Sequence, residues 1–395
     1  MKRTEITKRL SGLGGAKWEL YLKAKKLVNQ GRDIIEMTIG EPDVPTPDVL
    51  VDVAAESMRQ GRTTYSNGRG ELGLRNALAE RYSCSSGRDI TVDQILCFPG
   101  TQTSLFAVLM GVTEVGDEVL VGDPMYATYE GVIRATGADM VPVPIRPEND
   151  FRISASDLET RITSRTTAIL LTTPHNPTGA VLTDSDLAEI GNLARAHDLW
   201  IISDEVYEEL IFDGVSFHSP LTRQDLADRV IIVSSISKSH AAPGFRSGWC
   251  VAPSSFTEVL LPLSETMLFG NQPFIADMTE TAIREGSPVA EGMRQRFAAH
   301  ANLLHDRLTN ETGLAVLRPQ AGMFAMINVA STGMDGNTYA LHLLEHGGVA
   351  VMPGTSFGTT IDNWVRVALT VGDNNFATAC ERIIRHANLL QKEYA

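Results

Sequence analysis

From about residue 90 the chain alternates short, almost continuous apolar runs with longer stretches of helical period. The runs lie at 95–98, 118–121, 140–143, 168–171, 200–203, 230–233 and 249–252; helical stretches between them include 103–113, 126–136 and 184–197. Uninterrupted apolar strands separated by helices predict a mainly parallel sheet covered on both faces, an α/β architecture. Ligands of such sheets gather beyond the carboxyl ends of the strands. Ahead of this region a helix is expected from Ala16 to Gly31, with Tyr21, Ala24, Leu27 and Val28 on its apolar face, then a strand over 34–39 stopped by Gly40-Glu41-Pro42-Asp43. Beyond residue 285 the pattern predicts a long helix over 288–309, a segment at 322–328, a helix over 338–346, strands at 349–352 and 364–369, and a last helix over 373–391. The expected organisation is an arm at 1–15, a large domain at 46–285 and a small α+β domain built from 16–45 and 286–395.

Composition narrows the function classes. The 395 residues exceed what one core usually holds, with 43% hydrophobic and 21% charged residues, an ordinary globular balance. A formal net charge of -14 argues against nucleic acid and anionic membranes as partners. The chain has no apolar run of about 18 residues, and Met1-Lys2-Arg3-Thr4-Glu5 does not lead into an apolar signal core. Cys84, Cys97, Cys250 and Cys380 lack zinc-ligand spacing, and Cys97 and Cys250 sit in apolar runs that read as buried. A cytoplasmic location without a bound metal is expected.

The candidate chemistry centres on Lys238, in Ser234-Ser235-Ile236-Ser237-Lys238-Ser239-His240, eight residues before Arg246 and thirty-four after Asp204. Taken singly, each has a commoner structural role: an exposed loop lysine, a surface-turn arginine, a helix-capping aspartate. Together, one amine, one cation and one carboxylate suit pyridoxal phosphate. Lys238 at a strand's carboxyl end is partly desolvated and its amine can condense with the aldehyde. Arg246, with Ser235 and Ser237, suits the phosphate. Gly100-Thr101-Gln102, between a strand and a helix, can add backbone N–H donors. Asp204 can keep the pyridine nitrogen protonated. Tyr207, placed on the same helical face three residues on, and Asn176 can reach the ring oxygen. Tyr126 is a candidate to stack on the ring. Arg366, in Trp364-Val365-Arg366-Val367-Ala368, needs a partner such as a substrate α-carboxylate; an edge-strand arginine is the alternative.

These residues together resemble the class I/II, fold-type I pyridoxal-phosphate aminotransferases. The likeness runs from about residue 16 to 390 and is carried by Gly40-Glu41-Pro42-Asp43, Tyr65, Gly100-Thr101-Gln102, Asn176-Pro177-Thr178-Gly179, Asp204-Glu205-Val206-Tyr207, Ser235-Ile236-Ser237-Lys238, Arg246 and Arg366. The resemblance implies a large domain with a seven-stranded, mostly parallel sheet, a small domain from both termini, and a homodimer in which Tyr65 of one subunit reaches the other's phosphate site. It also implies a ping-pong transfer from an L-amino acid to a 2-oxo acid, with Lys238 as Schiff-base residue and then proton carrier. Gly40, Asn176 and Arg366 would bind substrate.

Among such enzymes, Gln102 stands where one bacterial aspartate-specific subgroup has a lysine, and residues 265–270 offer no cation. The likeness is nearest to arginine–pyruvate transaminases, through residues 123–130, 174–177 and 196–200; a basic donor would also suit Glu265. The alternatives are a β-eliminating C–S lyase on the same fold, an aspartate-type aminotransferase, and a ligand-sensing regulator domain. For the last, the first 45 residues are too short to hold a DNA-binding module and linker.

Overall fold

The computed structural model describes residues 4–13, 15–268 and 270–393. Its first strand, β1 (Ile35–Glu36), is short. The seven apolar runs after residue 90 become β2 (Ile95–Phe98), β3 (Glu118–Asp123), β4 (Asp139–Pro144), β5 (Thr166–Thr172), β6 (Trp200–Asp204), β7 (Val230–Ser235) and β8 (Gly248–Val251). They form one sheet of order β2-β8-β7-β6-β5-β3-β4. Only β8 runs against its neighbours.

All residues of β2, β3, β7 and β8 are buried, because helices cover both faces of the sheet. Successive strand residues feed different cores. Ile202 and Ile231 pack with residues of helices Thr101–Val112, Tyr129–Thr136 and Ser254–Met267. Ile201 and Ile232 pack with residues of helices Leu72–Ser86, Asp184–Ala196 and Pro273–Glu285.

The remaining strands are β9 (Ala315–Leu317), β10 (Phe324–Asn328), β11 (Val349–Ala350), β12 (Met352–Pro353) and β13 (Trp364–Ala368). An antiparallel sheet of order β12-β13-β10-β9 places β13 in its interior, while β11 pairs in parallel with β1. A third core joins both ends of the chain: Leu20, Ala24, Ile35 and Met37 pack with Phe297, Ile327, Val365 and Phe376. Asp123, at the end of β3, holds the two sheets together. It accepts bonds from the Thr359 backbone N–H at 3.1 Å and the Thr359 hydroxyl at 2.8 Å, and the Met125 N–H donates to the Phe357 carbonyl at 2.7 Å.

Several expectations change in detail. The strand expected over 34–39 keeps two paired residues, because its continuation turns to line a cavity. The strand expected over 349–352 splits, since its two halves pair with different partners. Helix Gly15–Asn29 buries Leu20 and Ala24, leaving Val28 exposed. The helix expected over 338–346 ends as an α-helix at His342 and continues as a π turn, Leu343–Gly347, closed by Gly348 at φ 68°. Part of the expected arm, residues 1–3 and 14, lies outside the described residues; within it, Glu5–Arg9 forms a short helix, and Arg9 Nε donates to the Arg134 carbonyl at 3.0 Å. Among the described residues no helix is long and apolar enough to cross a membrane.

Candidate active site

A cavity of about 320 Å³ opens beyond the carboxyl ends of β5, β6 and β7, against the face of the smaller sheet. Its wall includes Gly40, Thr101, Gln102, Tyr126, Asn176, Asp204, Tyr207, Ser235, Ser237, Lys238, Arg246 and Arg366. Twelve of the fourteen site residues singled out in the sequence therefore meet in one space. Gly100 lies directly behind Thr101. Tyr65 is 91% exposed on the surface and does not line the cavity. Glu265, the acidic residue considered for a basic donor, is exposed and packs beside Gly68, away from the cavity wall; its neighbour Phe269 lies outside the described residues.

Parallel pairing brings the acidic and basic groups to one edge. Thr172 and Asp204 are register partners at the ends of β5 and β6, and β7 ends at Ser235. Three residues on, Lys238 Nζ donates to the Gly40 carbonyl at 2.8 Å. Burial is the main cause that lowers its amine to about 8; nearby Arg366 and Arg246 add to the drop, while Glu41 and Asp204 oppose it. Asp204 is pushed up to about 6 by burial, with the Tyr129 hydroxyl, at 2.8 Å, pulling the other way. A buried carboxylate held this way is ready for a cationic partner, which would restore its charged form.

Tyr207 reaches the cavity from a turn. The chain does not enter a helix after β6; turn bonds from Glu208 N–H to the Glu205 carbonyl and from Leu210 N–H to the Tyr207 carbonyl shape the segment. The expected helical alignment with Asp204 is therefore replaced by loop geometry. Asn176 Nδ2 donates to the Tyr207 hydroxyl at 3.4 Å, and burial raises the Tyr207 phenol.

Arg366 sits in mid-strand on the interior strand β13, 5% exposed, which excludes the edge-strand alternative. Its guanidinium lies between the Phe324 ring at 3.8 Å and the Phe357 ring at 4.3 Å. Nη1 donates to Asn176 Oδ1 at 3.0 Å and Nη2 to the Thr38 carbonyl at 2.5 Å. Burial lowers it to about 10, and its Nε is buried without a partner among the described residues. A planar cation fixed on both faces, with a free donor left, is built to receive a carboxylate.

The other end of the cavity is a cradle. Gly100, at φ 89°, precedes helix Thr101–Val112; a Cβ there would come within 2.2 Å of Arg246 Nη2. Arg246 occupies the left-handed region at φ 53°, its Nη1 tied to the Pro243 carbonyl at 2.8 Å. Thr101 Oγ1 is buried and unpartnered among the described residues. A helix N-terminus, an arginine, hydroxyls of Ser235 and Ser237, and an orphaned threonine hydroxyl make a donor set for a phosphate. With an enclosed amine and carboxylate at the opposite end, these residues fit pyridoxal phosphate.

The sequence reading missed Tyr129, Phe324, Phe357, Trp18 and Glu41, all on the cavity wall. Tyr129 had one local signal: three residues from Tyr126, its ring meets Tyr126 edge-on at 5.5 Å. Glu41 had another, standing next to Gly40 in Gly40-Glu41-Pro42-Asp43, while Phe324, Phe357 and Trp18 arrive from distant segments and carried none.

Comparison with known proteins identifies the family. Residues 32–383 match the family model for aminotransferase class I and II. Over 383 residues, 97% of each chain, the protein is 40% identical to an arginine–pyruvate transaminase of Pseudomonas aeruginosa. It is 33% identical to aromatic-amino-acid aminotransferase 2 of Thermococcus litoralis over 91% of each chain. Among solved structures, aspartate aminotransferase of Thermus thermophilus with maleate matches at a TM-score of 0.91 and 29% identity, covering 98% of this chain and 100% of that one. The chain belongs to the class I and II aminotransferases: it has their fold-type I α/β architecture and is a pyridoxal-phosphate-dependent transaminase.

Proposed function

We propose that the enzyme moves the amino group of an L-amino acid with a cationic side chain, arginine first, to pyruvate or another 2-oxo acid by a ping-pong cycle. One observation carries the donor assignment. The cavity wall holds three strongly basic side chains among the described residues, Lys238, Arg246 and Arg366. With amine chemistry, phosphate and α-carboxylate assigned to them, no basic residue is left for a distal carboxylate. The wall also carries the Glu41 carboxylate and the Trp18 ring, which suit a guanidinium. The 40% identical relative, an arginine–pyruvate transaminase, supports the same reading.

When bound, the cofactor supplies a carbonyl for the donor's amine and a ring that accepts the electrons of the Cα–H bond. Arg246, Ser235, Ser237, Gly100, Thr101 and Gln102 hold its phosphate end, and Asp204 keeps its ring nitrogen protonated. Tyr207 and Asn176 direct hydrogen bonds at the ring oxygen, and Tyr126 packs on the ring. Arg366, with Asn176 and Gly40, seats the substrate α-carboxylate and so fixes where Cα lies. Lys238, freed by the incoming donor, takes the proton from Cα as general base and returns one to C2 of the acceptor in the reverse half-reaction. Its depressed amine basicity suits both directions near neutral pH.

The chain divides into a domain at 46–285 and one at 16–45 and 286–395, in keeping with the core that joins both chain ends. It works as a cytoplasmic homodimer, in which the exposed ring of Tyr65 completes the other subunit's phosphate site.

A donor screen with pyruvate as acceptor tests the proposal. Arginine is expected to be turned over fast. Glu41→Gln is expected to lower kcat/KM for arginine about tenfold relative to that for a neutral donor such as leucine, the loss of one charge-assisted contact. Fast turnover of aspartate with none of arginine would overturn the donor assignment.

A further inference from the structure

A second cavity, of about 660 Å³, lies in another part of the fold, between the π turn Leu343–Gly347, the last helix Asp373–Glu393 and the segment leading into β1. Its wall carries Arg32, Arg382, Arg385, His342, His346 and His386, with Asp33 as its single carboxylate among the described residues. On a chain of net charge -14 this is an unusual concentration of basic groups. The aminotransferase mechanism uses none of them.

The π turn creates the cluster. It follows His342 directly and keeps the His342 and His346 rings 4.2 Å apart between centroids. From the last helix, His386 Nε2 lies 2.7 Å from His342 Nδ1, so one of these nitrogens donates to the other. His386 is 4% exposed, and its other nitrogen, Nδ1, is buried without a hydrogen-bond partner among the described residues. The neighbouring Tyr339, whose ring meets His386 edge-on at 5.1 Å, is fully buried with its hydroxyl likewise unpartnered. Native proteins seldom bury two adjacent polar atoms unsatisfied.

The arginines are not all neutralised. Arg382 pairs with the Asp33 carboxylate and donates to the Gly348 carbonyl at 3.1 Å. Arg32 donates to the Glu345 carbonyl at 2.6 Å. Arg385 makes no hydrogen bond or ion pair among the described residues. A metal does not explain the histidines, since no group of three or more His, Cys, Asp or Glu among the described residues is arranged to hold one. An anion does. The volume is that of a small-molecule site, and forked guanidinium donors beside imidazoles suit phosphate or carboxylate oxygens.

We propose that this cavity is a binding site for a small, multiply charged oxyanion, held by Arg385, Arg382, Arg32 and the His342–His346–His386 cluster.

Binding there carries a proton. The groups facing the imidazoles are Tyr339 on the helix that ends at His342, Glu345 on the π turn with Lys23 paired to it, Arg382 and Arg385 on the last helix, and Arg32 and Asp33 ahead of β1. In the ligand-free protein burial, with His342 and His346 adding to it, holds His386 down at about 4, so it is neutral. An anion favours the imidazolium form, so occupancy takes up a proton and affinity rises as pH falls.

Isothermal titration of the cofactor-loaded full-length protein tests this, with pyrophosphate and with citrate as probes, in two buffers of different ionisation enthalpy. At least one probe is expected to bind with proton uptake and more tightly at pH 6 than at pH 8; the pair sorts phosphate from carboxylate preference. Arg385→Glu, an exposed change, is expected to weaken binding at least about tenfold without altering transamination. His386→Gln is expected to remove the proton uptake. No binding by either probe at millimolar concentration, or binding unchanged in Arg385→Glu, would overturn the proposal.

Discussion

The two sheets of this enzyme present functional side chains in opposite ways. The seven-stranded sheet places them at strand ends: Asp204 closes β6, Ser235 closes β7, and Lys238 follows three residues later. Its strands can be wholly apolar because the polar residues begin where the strands stop. The four-stranded sheet places Arg366 in the middle of an interior strand, with Val365 and Val367 fully buried on either side. There the cation survives burial through two aromatic faces, an amide oxygen and a backbone carbonyl. A strand end yields a group that can change its protonation or bonding; a clamped mid-strand group yields a fixed charge in a fixed plane. The first suits proton transfer, the second orientation.

Substitutions in the two regions should separate these roles. Lys238→Ala should lower turnover by about a thousandfold or more, since it removes both the amine and the proposed general base, and should abolish the borohydride-trapped adduct. An adduct persisting in that variant would show that another residue carries the chemistry. Asp204→Asn should retain bound cofactor, read from the visible spectrum, yet lose about a hundredfold in kcat, because a neutral amide no longer stabilises a protonated ring. On the other sheet, Arg366→Lys keeps the charge but loses the fork. A rise of about thirtyfold in KM for the donor, with kcat little changed, is expected from steady-state kinetics. A loss confined to kcat would erase the distinction between the regions.

A smaller effect tests the strand-end environment itself. Cofactor uptake by cofactor-free protein needs the neutral Lys238 amine. With that amine near 8, the uptake rate should climb about tenfold from pH 7 to pH 8.5 and level off above it; an ordinary lysine, near 10.4, would give a rate still climbing beyond pH 10. Stopped-flow absorbance would show which curve holds.

The same contrast explains what was readable beforehand. Asp204, Ser235 and Lys238 could be found because an apolar run followed by a polar residue marks a strand's carboxyl end, and parallel sheets gather such ends together. Arg366 stood out as a charge among apolar neighbours, but Trp364-Val365-Arg366-Val367-Ala368 reads equally well as an edge strand or as a core strand with a clamped cation. The deciding partners, Phe324, Phe357, Asn176 and Thr38, come from four other parts of the chain. Tyr207 shows the converse error: local spacing suggested a helix, and the chain turns instead.

By itself, then, the order of residues determined the seven strands, the side on which ligands collect, and the lysine, aspartate and arginine proposed to hold the cofactor, because each follows from short-range periodicity and the chemistry of one side chain. Only the tertiary structure decided that Arg366 is buried and capped, that Tyr129 holds Asp204, that Glu41 and Trp18 line the same cavity, and that three histidines and three arginines share a second cavity. Those contacts join residues up to hundreds of positions apart. No local pattern encodes them; they exist because burying the apolar faces of two sheets and their helices forces these polar groups into the same space.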